Sequence, residues 1–478
     1  MIEQYFWFGV FMLLLLLALW RRPAVLYILG AFGAEIYRAT FQLIGIHDRG
    51  DFVRIMLPAA FGAVAAILPI KLYTERKLGR KLFADVGAPL ICALIFCVIV
   101  LLGVLRAPAV TRIYGRTKVF KFLVASFFQF LFVVAFITST RELKWCIGLT
   151  MGFAVLHVLG LFYVFRWDAF STYYYFFDYP QRNAVGPVVL PFGHIMADSF
   201  SLYALTSFLL GLHFRRKLVK AACFAFALLC AFFCFMTAVR GPALATAIMM
   251  IGIALIWFRF RLVPVLVVVA VLAVAVLGFL HFMQDTHVQR WSEAGEEISG
   301  IGSRAYMLRW AATDWATQPS KMGLLFGRGA GATARMPALV VDGRIWQIGF
   351  RDGVNRVFPH NVPVEVLDEF GILGLAFYLI FFGLVLWKGF RTLYGVEFRS
   401  TNFLICLWAL SMAGPDVLKM LHSGDLSDRH LTWIFLGLVL CAVRAVASEQ
   451  ASRSEEEGET DEEATDAAAA VVGLEEGA

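Results

Sequence analysis

The sequence predicts an all-α, polytopic membrane protein of about 12–13 transmembrane helices. Three observations predict it. The chain has 478 residues, 60% of them hydrophobic and only 16% charged, with a mean hydropathy of +0.74. Apolar runs of about 18 or more residues recur along it, the length needed to cross a bilayer. Uninterrupted runs such as 262–282 leave only a helix able to pair every backbone group within lipid.

The expected spans are 5–20, 24–46, 54–70, 86–105, 119–138, 145–165, 185–212, 218–238, 241–258, 262–282, 363–387, 401–420 and 431–446. The first run lacks a basic flank and a small-residue cleavage site, so it reads as a retained helix. One long hydrophilic segment, 284–362, interrupts the series and is expected to contain short helices. The organisation predicted is therefore 1–180, N-terminal transmembrane helices; 181–447, a second membrane region that includes the loop 284–362; and 448–478, an acidic tail. That tail has eleven acidic residues and one arginine from Glu449 to Ala478, and it reads as disordered. Set against a whole-chain charge of +7, this leaves +17 on the remaining residues. Basic residues on a membrane body point to lipid head groups and positive-inside loops, not to nucleic acid.

Lys and Arg set the orientation. Arg215-Arg216-Lys217, Arg259–Arg261 and the stretch 388–399 should share the cytoplasmic side, with Arg21-Arg22 and the stretch 71–81. The loop 284–362 is then outside. The stretch 106–121 breaks the rule, because its five basic residues would also lie outside. Either a span is miscounted or that loop holds an anion there. The eight cysteines all lie in apolar runs and read as buried thiols, with no metal-ligand spacing.

Three sites carry possible chemistry. At Arg240-Gly241-Pro242 a proline suits the first turn of a helix. That helix N-terminus, with its free N–H groups and the arginine fork beside it, matches phosphate oxygens. A snorkelling arginine is the plain alternative. In the second site, Ile301–Gly331, Arg304, Arg309 and Trp310 fall on an amphipathic helix, and a Gly-rich turn from Gly327 to Gly331 lets backbone approach a ligand closely. The alternative is an interfacial helix held by Trp and Arg anchors. In the third, His360-Asn361 precedes a helix that starts at Pro363 and carries Glu365, Asp368 and Glu369. A histidine there can act as a general base, or can merely bond a loop carbonyl. Arg182 could also touch a substrate, and His194 with Asp198 could form a pair on one helix face. No outer Asp-x-Asp supports a metal clamp, so no metal and no cofactor is expected.

Taken in order, these sites resemble the O-antigen ligase and O-antigen polymerase superfamily. The resemblance rests on Arg240-Gly241 opening a helix, on Ser303-Arg304 followed by Pro319 and Gly327–Gly331, and on Pro359-His360-Asn361 followed by Glu369, Gly371 and Gly374. It covers roughly 180–445, and Leu308 stands where the family usually has Trp. It implies a fold like that of C-type glycosyltransferases in the bacterial inner membrane, with its site facing the periplasm. The implied donor is a glycan on undecaprenyl diphosphate, and the acceptor is the lipid A core or a second lipid-linked glycan. By the same resemblance His360, Arg240 and Arg304 are catalytic, and Arg309, Asn361, Glu369 and Arg182 bind substrate. Polymerisation of lipid-linked repeat units is the alternative within this class. A polysaccharide or lipid flippase is the alternative outside it, although no internal repeat supports a transporter.

Overall fold

A computed structural model describes residues 21–25, 27, 31, 76–166, 184–185, 188–189, 193–237, 239–282, 298–335, 339–341, 344–346, 350–351, 354–355, 361–421, 426 and 431–452. The expected spans 5–20, 24–46 and 54–70 lie almost wholly outside these residues, as do His360, Arg182 and the side chains of Arg240, Arg304 and His194.

The described membrane body is helical. Helix α1 covers Arg76–Leu105 and is followed by one continuous span, 109–136. That span is built from a 3-10 turn, α2 (Arg112–Lys121), a π-helical stretch (Phe122–Phe127) and α3 (Phe128–Phe136). Next come α4 (Thr140–Phe165), α5 (Gly193–His213), α6 (Lys217–Met236), α7 (Arg240–Trp257) and α8 (Leu262–Phe282). Outside the membrane body lie α9 (Ile298–Ala316) and α10 (Lys321–Phe326). The chain re-enters with α11 (Val362–Gly395), α12 (Thr401–Met420) and α13 (Leu431–Ser452). Seven helices among the described residues are long and apolar enough to cross a membrane, and each overlaps an expected span.

The segment 284–362 holds more than the expected short helices. The 19-residue α9 is followed by two antiparallel ribbons, β3–β4 (Leu339–Val341 with Arg344–Trp346) and β5–β6 (Phe350–Arg351 with Val354–Asn355). A third, β1–β2 (Ala184–Val185 with Val188–Val189), precedes α5. Asp342-Gly343 and Asp352-Gly353 connect the strands of the first two ribbons. Asp-Gly between alternating residues is a strong short-range hairpin signal, and the helical reading passed over it.

Helix ends sort onto two faces. At one, His213, Trp257 and Phe398 come together: Trp257 packs on His213 at 6.5 Å, on Phe398 at 6.2 Å and on Phe403 at 5.7 Å. The three basic stretches expected to share a side do meet here. Arg399 lies over Trp257 and Arg259 over Phe398. At the other face the 106–121 stretch meets the Gly-rich turn and the start of α11. We call the latter the site face.

In lipid, burying apolar surface between helices gains little, because acyl chains are as apolar as leucine. Tight packing and satisfied polar groups must hold the body together. Trp433 of α13 is fully buried, stacked on Phe381 (5.0 Å) and Phe96 (6.1 Å) and met edge-on by Phe122 (5.2 Å) and Phe130 (5.8 Å). The side chain of Arg444, also on α13, donates to Val134 O and Ile137 O, both at 2.7 Å. It thereby satisfies carbonyls that the end of α3 leaves unpaired. All eight cysteines are free thiols, buried or half-buried.

Candidate functional site

Helix α11 is two helices in one. Gly371 has φ +73° and ψ −170°, which breaks the path between residues 362–370 and the remainder. A Cβ there would sit 2.3 Å from Leu325 O, so only glycine fits. The break strands the last carbonyls of the first piece among buried residues, where an unpaired carbonyl is costly. The Gly-rich turn supplies the donors. Arg328 N–H bonds Asp368 O and Gly329 N–H bonds Glu369 O, each at 2.9 Å. One residue on, Ala330 N–H bonds Gly103 O of α1 at 2.9 Å. Positive φ at Gly327, Gly329 and Gly331 allows this approach. The Gly-rich turn approaches two helix ends and clamps α1 to α11.

Side chains reinforce the clamp. Lys118 of α2 is 3% exposed and reaches two fully buried carboxylates of α11. Its Nζ donates to Glu365 Oε1 and, at 2.7 Å, to Glu369 Oε1. Glu369 Oε1 also accepts from Thr333 Oγ1 at 2.7 Å, and Glu365 Oε2 accepts from Leu426 N–H at 2.9 Å. Two charges against one would be unaffordable in this setting without such hydrogen bonds. This places the stretch 106–121 on the site face. The anion it holds includes the protein's own carboxylates, while Arg112, Arg116 and Lys121 stay exposed.

The first piece of α11 begins at Asn361. The Asn361 side chain caps it, accepting from Val364 N–H at 3.0 Å, and donates from Nδ2 to Leu421 O at 2.8 Å. Both its amide groups are thus engaged by the scaffold, and the residue next to it in sequence, His360, lies outside the described residues. Glu369 is likewise engaged, by Lys118 and Thr333. Asp368 is fully buried, and neither carboxylate oxygen has a hydrogen-bond partner among the described residues.

The other expected residues fall as follows. Arg240 is the first residue of α7, with Val239 at the cap and Pro242 in the first turn. The opposite end of α7, Trp257, lies at the basic face, so Arg240 and Asn361 head helices whose N-termini share the site face. Arg304 and Arg309 both lie on α9, which packs against α11. Met307 and Ala311 form the buried side of α9, while Arg309 is exposed. Asp314, near the end of α9, bonds Arg328 (2.9 Å) and Arg335 (2.5 Å), which fastens α9 to the Gly-rich turn. Arg182 lies outside the described residues.

Sequence reading did not name the partners of two cations at this face. Lys118 is one. The other is Lys419, at the end of α12, whose Nζ meets Asp198 Oδ1 at 2.6 Å and Asp416 Oδ1 at 2.5 Å. Asp198, which could pair with His194 on its own helix, meets Lys419 on another, and the His194 side chain lies outside the described residues. A lysine near the end of a membrane helix reads as a snorkelling anchor, and no sequence signal names a carboxylate far along the chain. Among the described residues no three His, Cys, Asp or Glu side chains gather in a way that could hold a metal ion.

The family model described as O-antigen ligase matches residues 225–379. The match runs from within α6, across Arg240, α9 and the Gly-rich turn, to the second piece of α11. No curated protein matches the chain.

Proposed function

We propose, from a chain whose residues 225–379 match the family model described as O-antigen ligase, that this multi-pass membrane enzyme transfers a glycan from undecaprenyl diphosphate to an acceptor hydroxyl at the periplasmic face. The observation that carries the reading is positional. Within the matched region, Arg240 and Asn361 stand at two helix N-termini on one face, with Arg304 on the helix packed against α11, and His360 directly precedes Asn361 in sequence.

The chemistry assigned to them is simple. The acceptor oxygen forms a bond to the anomeric carbon as the bond from that carbon to the diphosphate oxygen breaks. His360 takes the hydroxyl proton. Charge grows on the departing undecaprenyl diphosphate, and Arg240 and Arg304 stabilise it together with the N–H groups opening α7. Arg309, exposed on α9, and Arg182 would hold glycan or phosphate farther out. Asn361 and Glu369 would act through the scaffold, keeping His360 and the first piece of α11 in place. Asp368, buried and unpartnered among the described residues, faces the same clamp and is a further candidate for positioning. The scheme calls for no metal or cofactor.

Reconstitution of the full chain with a lipid-linked oligosaccharide and candidate acceptors tests this. Wild type should release undecaprenyl diphosphate and lengthen the acceptor. One added glycan means ligation to a lipid A core, and a ladder means polymerisation. His360→Ala should abolish transfer while the protein still inserts and accumulates. Transfer by that variant at the wild-type rate would reject the base. Arg240→Lys should lower transfer by about tenfold or more, because an ammonium cannot reproduce the planar fork.

A further inference from the structure

The basic face carries a cleft of about 620 Å3 that has no part in the proposed transfer. It is lined where the end of α5, the start of α6, the end of α7 and the α11–α12 turn converge. Three permanent cations on three different segments line it: Arg215, Lys220 and Arg399. His213 joins them, and no carboxylate lines the cleft. Trp257 and Phe258 form its apolar wall. Two of the cations lie against aromatic rings. Arg399 lies 5.7 Å over Trp257 and 5.1 Å over Phe398, and Lys220 lies 5.9 Å from the Phe224 ring. Arg399 adopts φ +64°, a conformation unusual for a side-chain-bearing residue. Strain of that kind persists only where the surroundings over-determine it. Like charges gathered without a counter-charge in a half-apolar cleft call for an anion.

The surroundings say which anion. Beside the cleft, Leu218, Phe260, Leu262 and Val263 are 62–84% exposed, and the last two begin the outward-facing apolar surface of α8. A ligand with a charged head in the cleft therefore has an apolar path along the helix surface for its tails. Basic pockets between membrane helices at a cytoplasmic surface suit phosphate head groups.

We propose that this cleft binds the phosphate head group of an anionic phospholipid, drawn from the leaflet opposite the candidate active site. The inference stands apart from the glycan-transfer reading and does not need it.

The test uses the full chain purified in mild detergent, with bound lipid counted by native mass spectrometry. Phosphatidylglycerol and phosphatidylcholine are offered separately. Wild type should retain phosphatidylglycerol and shed phosphatidylcholine. Arg215→Gln with Lys220→Gln, both exposed and so tolerable to the fold, should weaken phosphatidylglycerol retention by about thirtyfold, two cation contacts' worth. Arg399→Lys, which keeps the charge, should retain it more nearly as wild type does. Equal retention of the two lipids, or no loss in the double variant, overturns the proposal. Two further arms separate rival occupants. Displacement of the lipid by glycerol phosphate as readily as by phosphatidylglycerol would make the ligand a soluble phosphate. Lipid binding that appears only in a chain ending at Ser452 would make the occupant the acidic tail. Either result rejects the lipid.

Discussion

Lys118 shows how much one side chain can hold. It is the lone cation that the described residues place between Glu365 and Glu369, and all three are buried. Removing one partner of a buried ion pair commonly costs ~3–5 kcal/mol, because the remaining charge is left uncompensated. Lys118→Ala should therefore lower the melting temperature of the detergent-solubilised protein sharply. Adding Glu365→Gln and Glu369→Gln to Lys118→Met should recover much of the loss, since the lysine's removal then leaves neither of its two carboxylates uncompensated. A triple variant no more stable than Lys118→Ala would show that the charges are not what matters. Gly371 makes the second case. Its φ of +73° with ψ −170° disfavours any other residue by ~1–3 kcal/mol, and its position against Leu325 O leaves no room for a Cβ. Gly371→Ala should give a less stable protein with transfer activity lowered further than stability alone explains, because the piece of helix behind His360 would tilt. Unchanged activity at wild-type stability would refute the clamp.

Elements were legible to different degrees, and the reasons are physical. Membrane crossings announce themselves because lipid imposes length and apolarity together, so α4, α6, α8, α12 and α13 lie within a few residues of the expected spans. The Gly327–Gly331 turn was legible as special backbone, but its partners were not, since nothing local marks Asp368 O and Glu369 O as stranded carbonyls. They are stranded only because Gly371 interrupts a helix more than forty residues away. The charged stretch 106–121 read as an anomaly of orientation. Its explanation, Lys118 against α11, spans 247 residues of sequence. The π-helical stretch after Lys118 had no sequence signature either. Of the candidate site, helix starts at Arg240 and Asn361 were legible from Pro242 and Pro363, and the pairing of Asp198 with Lys419 was not. Packing at element scale gives its own test. Trp433 touches rings from α1, the 109–136 span and α11, so Trp433→Ala should cost ~3–5 kcal/mol. Trp433→Phe should cost markedly less in the same melting measurement, as it keeps most of the stacked area.

At the scale of the whole molecule, the decisive property is which face looks where. Tracing the described helices end to end gives a consistent alternation. The 109–136 span leaves the site face and reaches the end that Arg444 caps. Helix α7 runs from Arg240 at the site face to Trp257 at the basic face, α11 runs the same way, α12 returns, and α13 ends at the basic face. Helices α9 and α10 and the Gly-rich turn thus sit on the site face, opposite Arg215, Arg259 and Arg399. Positive charge in short connections favours the cytoplasm, and on that rule we propose that the site face looks outward, where a lipid-linked donor would be presented. The stretch 106–121 is also basic and lies on the site face, so its charge must be retained there by packing. Single cysteines decide the matter. Arg116→Cys on α2 and Arg391→Cys near the end of α11 are both exposed positions, and the eight native thiols are buried or half-buried, which keeps background low. In right-side-out vesicles an impermeant maleimide should label the first and spare the second, and inside-out vesicles should reverse the pattern. Labelling of both from one side would break the two-face arrangement. The reverse pattern would put the helix N-termini of Arg240 and Asn361 in the cytoplasm, beyond reach of a donor presented at the outer leaflet, and the proposed transfer would fail with it.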